Sequence, residues 1–360
     1  MDFSPLGAWL LVIGVLSAAI TAQTAAGEAV YPGKTWTEKS PAEVGMDAAK
    51  LRAFRQYVGG RGCVTRYGYM VYTWGDASKR GDVASACKPW YSHFLFVAIE
   101  AGKLASLEVK ANVFEPRLND LNAALGHKDR EITFRHLANQ TSCYGVKERP
   151  GTAFNYNDYQ MALFWDTLFL KVYGVTYDTV DAKVLHPQLT DILQCQDNPT
   201  LMVSGTNREM GRLGVSVRDF ARFGLLYLRK GNWKGKQLIR ARHATMAVTS
   251  PLPASLPEST EELAEIIRGQ RTIGRVARRQ EQGPHRGSYS WLWWTNGTDR
   301  GGKQRWPDAP ADTYGAFGAQ GNAMVVIPSL DLVVSWSSPA VNEVSAQNEA
   351  LKRLVQGEGS

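Results

Sequence analysis

The chain has 360 residues, 44% of them hydrophobic, and a formal net charge of +7. That much apolar content over this length excludes a disordered chain, and no fixed internal period marks a repeat array. The four cysteines lack CxxC spacing and the six histidines are scattered, which argues against a zinc centre. The excess positive charge reads as solubility in preference to nucleic-acid binding.

Leu6 to Ala22 is almost wholly apolar, and small residues follow to Ala26. Residues 1–26 therefore read as a signal peptide, and the chain is expected to be exported to the periplasm or beyond. The usual positive flank is missing, with only Asp2 charged ahead of the run, so retention through residues 6–22 as an anchor is the alternative to cleavage between Ala19 and Ala26. Cys63, Cys87, Cys143 and Cys195 fit an oxidising compartment and leave three disulfide pairings open.

One domain is expected over residues 40–356. Asp47 precedes Leu51, Phe54 and Val58, which are spaced for one helical face and stopped by Gly59-Gly60. Cys63 to Trp74 is β-branched and aromatic, with Gly68 at a hairpin turn. A helix is predicted from Ser85 to Gly102, and residues 103 to 250 read as helices and loops, most clearly Phe154–Tyr173 and Ser216–Arg229. Residues 268 to 286 are basic, with Gly and Pro, and read as a solvated loop. Strand texture returns at Tyr289–Thr295, at 323–327 and at Leu332–Trp336, with Pro328 to Asp331 as a turn, and a helix is predicted from Asn342 to Val355. This order implies an α+β fold: one antiparallel sheet from both ends of the chain, flanked by N- and C-terminal helices, with an all-helical lobe (about 103–250) inserted and a cleft between them.

The chemistry-bearing pattern is Ser85-Ala86-Cys87-Lys88 at a helix start. Residues three apart share a helical face, so Lys88 can reach the Ser85 hydroxyl, and burial could lower its pKa enough to make it a base. The Ser85 amide can help hold an oxyanion. The tetrapeptide alone is also the pattern of a helix cap followed by a surface lysine. Cys87, at i+2, points away from Ser85 and is not expected to be catalytic.

Several further segments, in the same order, accompany it. Val64 to Asp76 forms the strand pair, and Ile132-Thr133-Phe134-Arg135-His136-Leu137 leads to Ser142. Pro150-Gly151-Thr152-Ala153-Phe154-Asn155-Tyr156-Asn157-Asp158 and Gly211 to Leu238 follow. Over roughly residues 40 to 355 the chain resembles the class C β-lactamases, DD-peptidases and related carboxylesterases and amide hydrolases. The resemblance implies a β-lactamase/transpeptidase-like fold and an acyl-enzyme on Ser85, with Lys88 and Tyr156 as its catalytic partners and no cofactor.

Two departures stand out. Asp158 replaces the family's usual asparagine; a carboxylate there could pair with Lys88 or disfavour an anionic substrate group. The family's third motif, KTG or HxG, is matched best by Ala319-Gln320-Gly321, which lacks a cation to hold a β-lactam carboxylate. On this match Asp158, Gln320 and Gly321 contact substrate, and the Asn322 amide completes the oxyanion hole with that of Ser85. The pattern is closer to the esterase and 6-aminohexanoate-oligomer hydrolase branch. The substrate expected is a small-molecule or peptide-like ester or amide, with no nucleic acid and no stable protein partner. The alternatives are a DD-peptidase or β-lactamase, and a cell-wall-associated binding protein that kept the fold and lost the reaction. The aromatics Trp291, Trp293, Trp294 and Trp306 suit either a pocket mouth or sheet packing. Asn139-Gln140-Thr141 and Asn296-Gly297-Thr298 are glycosylation triplets, meaningful only in a eukaryotic secretory host.

Overall fold

The computed structural model describes Met1 and residues 29–204, 210–274, 284–285 and 287–356. The apolar leader lies outside these residues, as does most of the basic stretch after Arg268. Among the described residues no helix is long and apolar enough to cross a membrane.

Helix α1 (Ala48–Val58) starts where the Asp47 side chain accepts from the Ala49 and Lys50 amides, and it buries Leu51, Phe54 and Val58. Strands β1 (Arg61–Arg66) and β2 (Tyr69–Trp74) form the expected hairpin, with Tyr67 and Gly68 both at positive φ. From the far end come β3 (Tyr289–Ser290), β4 (Trp293–Thr295), β5 (Tyr314–Gly318), β6 (Asn322–Ile327) and β7 (Leu332–Ser337). The strand order is β2-β1-β7-β6-β5-β4-β3, antiparallel at every pairing. The two ends of the chain meet at β1 and β7, with Val64 opposite Val334. Strands β6 and β7 are buried almost throughout, which suits their continuous apolar texture.

Helices cover both faces. The closing helix α5 (Val344–Val355) packs on α1, while α4 (Val217–Leu228), capped by Ser216, lies on β1, β6 and β7. Gly224 of α4 allows close approach, because a Cβ there would fall 2.6 Å from both Met324 Sδ and Val333 Cγ1. The mixed helix and antiparallel-sheet class expected from the sequence is the one observed.

Three expectations need correction. The insert is not all-helical: Thr200–Val203 pairs with Arg212–Val215, which pairs with Gly81–Asp82. These strands are short and joined to a segment more than a hundred residues earlier, so no local alternation exposes them. The helix predicted from Phe154 begins only at Asp158 (α3, Asp158–Trp165), because the Phe154 and Asn155 amides donate to the Pro257 and Gln140 carbonyls instead. Finally, all four cysteines are free thiols. The Cys63 thiol donates to the Val217 carbonyl, Cys87 Sγ lies 2.8 Å from the Tyr91 hydroxyl, and the Cys143 thiol reaches the Ala153 carbonyl.

Candidate active site

Ser85 sits on a single 3₁₀ turn, Ala84–Cys87, which leads directly into α2 (Lys88–Glu100). The turn is tethered on its N-terminal side. The Val83 amide donates to the Leu213 carbonyl, and the Ala84 amide donates to the Asp82 carboxylate at 2.8 Å. Asp82 in turn is held by Arg212, at 3.0 Å and 2.8 Å from its two oxygens. Ala84 has φ of 51°, a left-handed conformation that costs a non-glycine residue about 1–2 kcal/mol. The Asp82–Arg212 pair and the small strands therefore stabilise a strained backbone immediately before the nucleophile.

From this turn Lys88 points back toward Ser85. Its Nζ donates to Ser85 Oγ at 2.8 Å and to Asp158 Oδ1 at 3.1 Å, and lies 4.5 Å from the Tyr156 ring centroid. Tyr156 is buried, and its side chain hydrogen-bonds to both Lys88 and Ser85. The three sequence-predicted catalytic residues and Asp158 thus meet at one point.

The tyrosine is placed from below by the segment around Gln140. The Asn155 amide donates to the Gln140 carbonyl, the Asn157 amide to Gln140 Oε1, and the Gly151 amide to the Thr141 carbonyl. Asn157 caps α3 by accepting from the Gln160 amide, which carries Asp158 onto the first turn facing Lys88. The Ile273 amide donates to the Asp158 carbonyl. Gly274 lies so close that a Cβ there would come within 2.0 Å of Asp158 Oδ2.

The electrostatics differ from expectation. Burial is the largest influence on Lys88 and pulls its pKa down, but the charge of Asp158, followed by Tyr156, outweighs it. The net direction is upward from the ordinary lysine value, so Lys88 rests as an ammonium ion and not as the free base that burial alone would make. Burial pushes the Tyr156 hydroxyl up, partly offset by Lys88.

The third-motif assignment shifts by three residues. A Cβ on Gly318, the last residue of β5, would lie 2.2 Å from the Val83 carbonyl oxygen, 2.7 Å from the Ala86 amide and 3.0 Å from the Ser85 amide. Gly318 is therefore the glycine that lets a strand pass over the nucleophile. Gly321 faces elsewhere: it has φ of 64°, a Cβ there would strike the Ser338 carbonyl at 1.8 Å, and its amide donates to Asn342 Oδ1. Asn322 opens the return strand opposite Gly318, and its side chain donates to the Ala319 carbonyl and accepts from Ser337. A substrate-facing triplet belongs on the strand, here Ala316-Phe317-Gly318, whereas Ala319 to Gly321 is the turn that follows. Gln320 and Asn322 still border the cleft.

The cleft above Ser85 has a volume of about 1070 Å³ and includes Lys88, Tyr156 and Asp158 in its wall. Trp291, Trp293, Trp294 and Trp306 do not form its mouth. They are buried, and Trp294 backs the site by stacking on Tyr156 at 6.1 Å and 23°. Asp82, Arg212, Lys303 and Arg305 also line the cleft, and none stood out in the sequence. Among the described residues no cluster of His, Cys, Asp and Glu is arranged to hold a metal ion.

No protein-family model matches the chain, and no curated protein matches it significantly. Solved structures do. One is provisionally assigned as a 6-aminohexanoate-dimer hydrolase from Bacillus anthracis: TM-score 0.61, 14% identity, 91% of this chain and 89% of that one. A penicillin-binding protein homolog from Caulobacter crescentus aligns with TM-score 0.57 and 12% identity over 91% and 98% of the two chains. A β-lactamase/D-alanine carboxypeptidase from Pseudomonas syringae aligns with TM-score 0.54 and 13% identity over 88% and 98%. At such identities the likeness is one of fold: this chain has the fold shared by β-lactamases and penicillin-binding proteins.

Proposed function

We propose that this protein is a serine hydrolase that forms an acyl-enzyme at Ser85 and hydrolyses an ester or amide. The observation that carries this is the 2.8 Å contact between Lys88 Nζ and Ser85 Oγ, with Tyr156 hydrogen-bonded to both at the floor of a large cleft. Likeness of fold to hydrolases of this type supports it.

In the resting site Lys88 is an ammonium paired with Asp158. Passing one proton to the Asp158 carboxylate turns it into an amine, which can then take the proton of Ser85 as Oγ attacks the carbonyl carbon. A bound substrate that displaces water makes this neutralisation less costly. The tetrahedral oxyanion is held by the Ser85 amide and by that of Ala319, which follows Gly318, in place of Asn322. Tyr156 passes its proton to the leaving group as it departs and takes from Lys88 the one that came from Ser85, after which Asp158 returns its proton to Lys88. Water then attacks the acyl-enzyme by the reverse route, releasing the acid and restoring Ser85.

Ser85→Ala is expected to abolish ester hydrolysis and labelling by serine-reactive probes, and wild-type activity in that variant would overturn the assignment. A DD-peptidase or β-lactamase remains the second reading, favoured by the likeness to the Pseudomonas syringae protein; stable labelling of Ser85 by a fluorescent penicillin would select it. Export through residues 1–26 belongs to the same proposal, and fractionation of the producing cell tests it. Substrates would be small-molecule or peptide-like.

A further inference from the structure

The peptide between Val83 and Ala84 lies directly ahead of the nucleophile and is pinned at both ends. Its carbonyl accepts from the Ala86 amide at 3.1 Å, which closes the 3₁₀ turn, and its N–H donates to Asp82 Oδ1 at 2.8 Å. In this orientation Ala84 is left-handed, with φ of 51°, while Val83 has ψ of 10°. Turning that one plane over by half a turn would carry Ala84 into the extended region, which alanine prefers. The turn under Ser85 is therefore held against the preference of its own residues, and the side chain that holds it is Asp82.

Asp82 is itself gripped. Its Oδ1 also accepts from Arg212 Nε at 3.0 Å, and Arg212 Nη2 lies 2.8 Å from Oδ2, the two-pronged contact that fixes a carboxylate in orientation as well as in place. Arg212 opens the middle strand of the small sheet, with Thr200–Val203 paired on one side and Gly81–Asp82 on the other. The grip thus comes from a paired strand and not from a loose surface side chain. The Val83 carbonyl and the Ser85 amide lie together under Gly318, where an added Cβ would fall 2.2 Å and 3.0 Å from them. A flip of the peptide plane is felt at once at the amide that faces the oxyanion.

We propose that Asp82, fixed by Arg212, is a positioning residue: it keeps the Val83–Ala84 peptide unflipped, so that the Ser85 amide and hydroxyl stay aimed at the carbonyl under attack. This deepens the hydrolase reading and rests on it for the reaction. The small sheet that interrupts the helical insert then serves the site, because it carries the arginine that holds Asp82. The pair lines the cleft, yet both Asp82 oxygens are turned to Arg212 and one also to the Ala84 amide, which directs its action through the backbone.

The test is a double-mutant cycle on the full-length protein, read with p-nitrophenyl butyrate. Asp82→Ala is expected to lower kcat about tenfold or more while KM stays within about twofold. Glycine takes a φ of 51° without steric cost, so in an Ala84→Gly background the same change should cost less than about threefold. Arg212→Gln leaves Asp82 its acceptor oxygens but removes the grip; its smaller loss should be cancelled in the same way, and it carries the comparison if Asp82→Ala does not fold. A deficit equally large in the Ala84→Gly background would overturn the proposal in favour of a general structural role, and a deficit mainly in KM would overturn it in favour of a substrate contact. Crystal structures read the backbone without the reaction: Ala84 should leave the left-handed region in Asp82→Ala, and residue 84 should return to it when Ala84→Gly is added. A left-handed Ala84 in Asp82→Ala overturns the proposal and leaves the hydrolase reading standing. The flip observed in a protein whose wild type cleaves no ester or amide would uphold the backbone role and fail the reaction.

Discussion

Asp158→Asn removes one charge from the catalytic cluster while keeping its shape and one acceptor oxygen. Asp158 Oδ1 lies 3.1 Å from Lys88 Nζ, and the two side chains are 18% and 3% exposed, so solvent screens the pair weakly. Two unit charges at that separation attract by about 5 kcal/mol at an effective dielectric of about 20. Desolvation offsets part of this, and breaking buried pairs typically costs about 3–5 kcal/mol. Even a third of the attraction exceeds the roughly 1.4 kcal/mol that moves a titration by one pH unit.

The sign follows from the two influences on Lys88. With Asp158 present, its folded-state pKa is raised, so the pair's contribution to stability is complete below the unfolded lysine value and is lost only as pH climbs through the higher folded value. Without Asp158, burial pulls the Lys88 pKa below the ordinary lysine value while leaving the group protonated on the acid side of neutrality. The variant should then be destabilised at neutral pH by about 1–3 kcal/mol and gain stability as pH rises toward the ordinary lysine value. Activity should follow. In wild type the Lys88–Asp158 pair accepts the Ser85 proton, and kcat/KM should be flat between about pH 6 and pH 9. In Asp158→Asn, Lys88 must first lose its proton to solvent, so kcat/KM should fall about tenfold or more near pH 6.5 and recover with rising pH. The assay is a pH–rate profile with a p-nitrophenyl ester, paired with denaturant midpoints at neutral and alkaline pH. A flat rate profile in the variant, or a stability deficit that does not shrink with pH, would refute the role given to the pair.

Two other substitutions probe the same geometry. Tyr156→Phe keeps the ring stacked on Trp294 but removes the hydroxyl bonded to Ser85 and Lys88, and kcat should drop about 10²-fold or more with little change in melting temperature. An unchanged kcat would exclude Tyr156 from proton transfer. Gly318→Ala places a Cβ against the Val83 carbonyl and the Ser85 amide; kcat/KM should fall about 10²-fold and stability by about 1–3 kcal/mol. A crystal structure of that variant with the Ser85 turn undisturbed would show that β5 does not set the oxyanion geometry.

The sequence by itself determined what depends on neighbours a few residues apart. The spacing of Leu51, Phe54 and Val58 and the cap at Asp47 made α1; the texture of Cys63 to Trp74 and of Leu332 to Trp336 made strands of the central sheet. The i, i+3 spacing of Ser85 and Lys88 was legible for the same reason, since one helical turn brings such side chains together wherever it sits. Asp158 could be suspected as a partner because it follows Tyr156 by two residues.

The remainder was settled by contacts between distant segments. Local pattern could not tell Gly321 from Gly318, because both are glycines near a turn; only the stacking of β5 over residues 83–86 chooses Gly318. The strands near 200 and 212 exist because Gly81–Asp82 supplies their edge, and three of the four unpaired thiols, Cys63, Cys87 and Cys143, are buried beside neighbours of their own. The direction of the Lys88 shift reversed for the same reason. Burial of a lysine can be anticipated from its own helix, but a carboxylate at 3.1 Å from seventy residues onward exists only once the chain has folded, and there it is enough to keep the lysine charged.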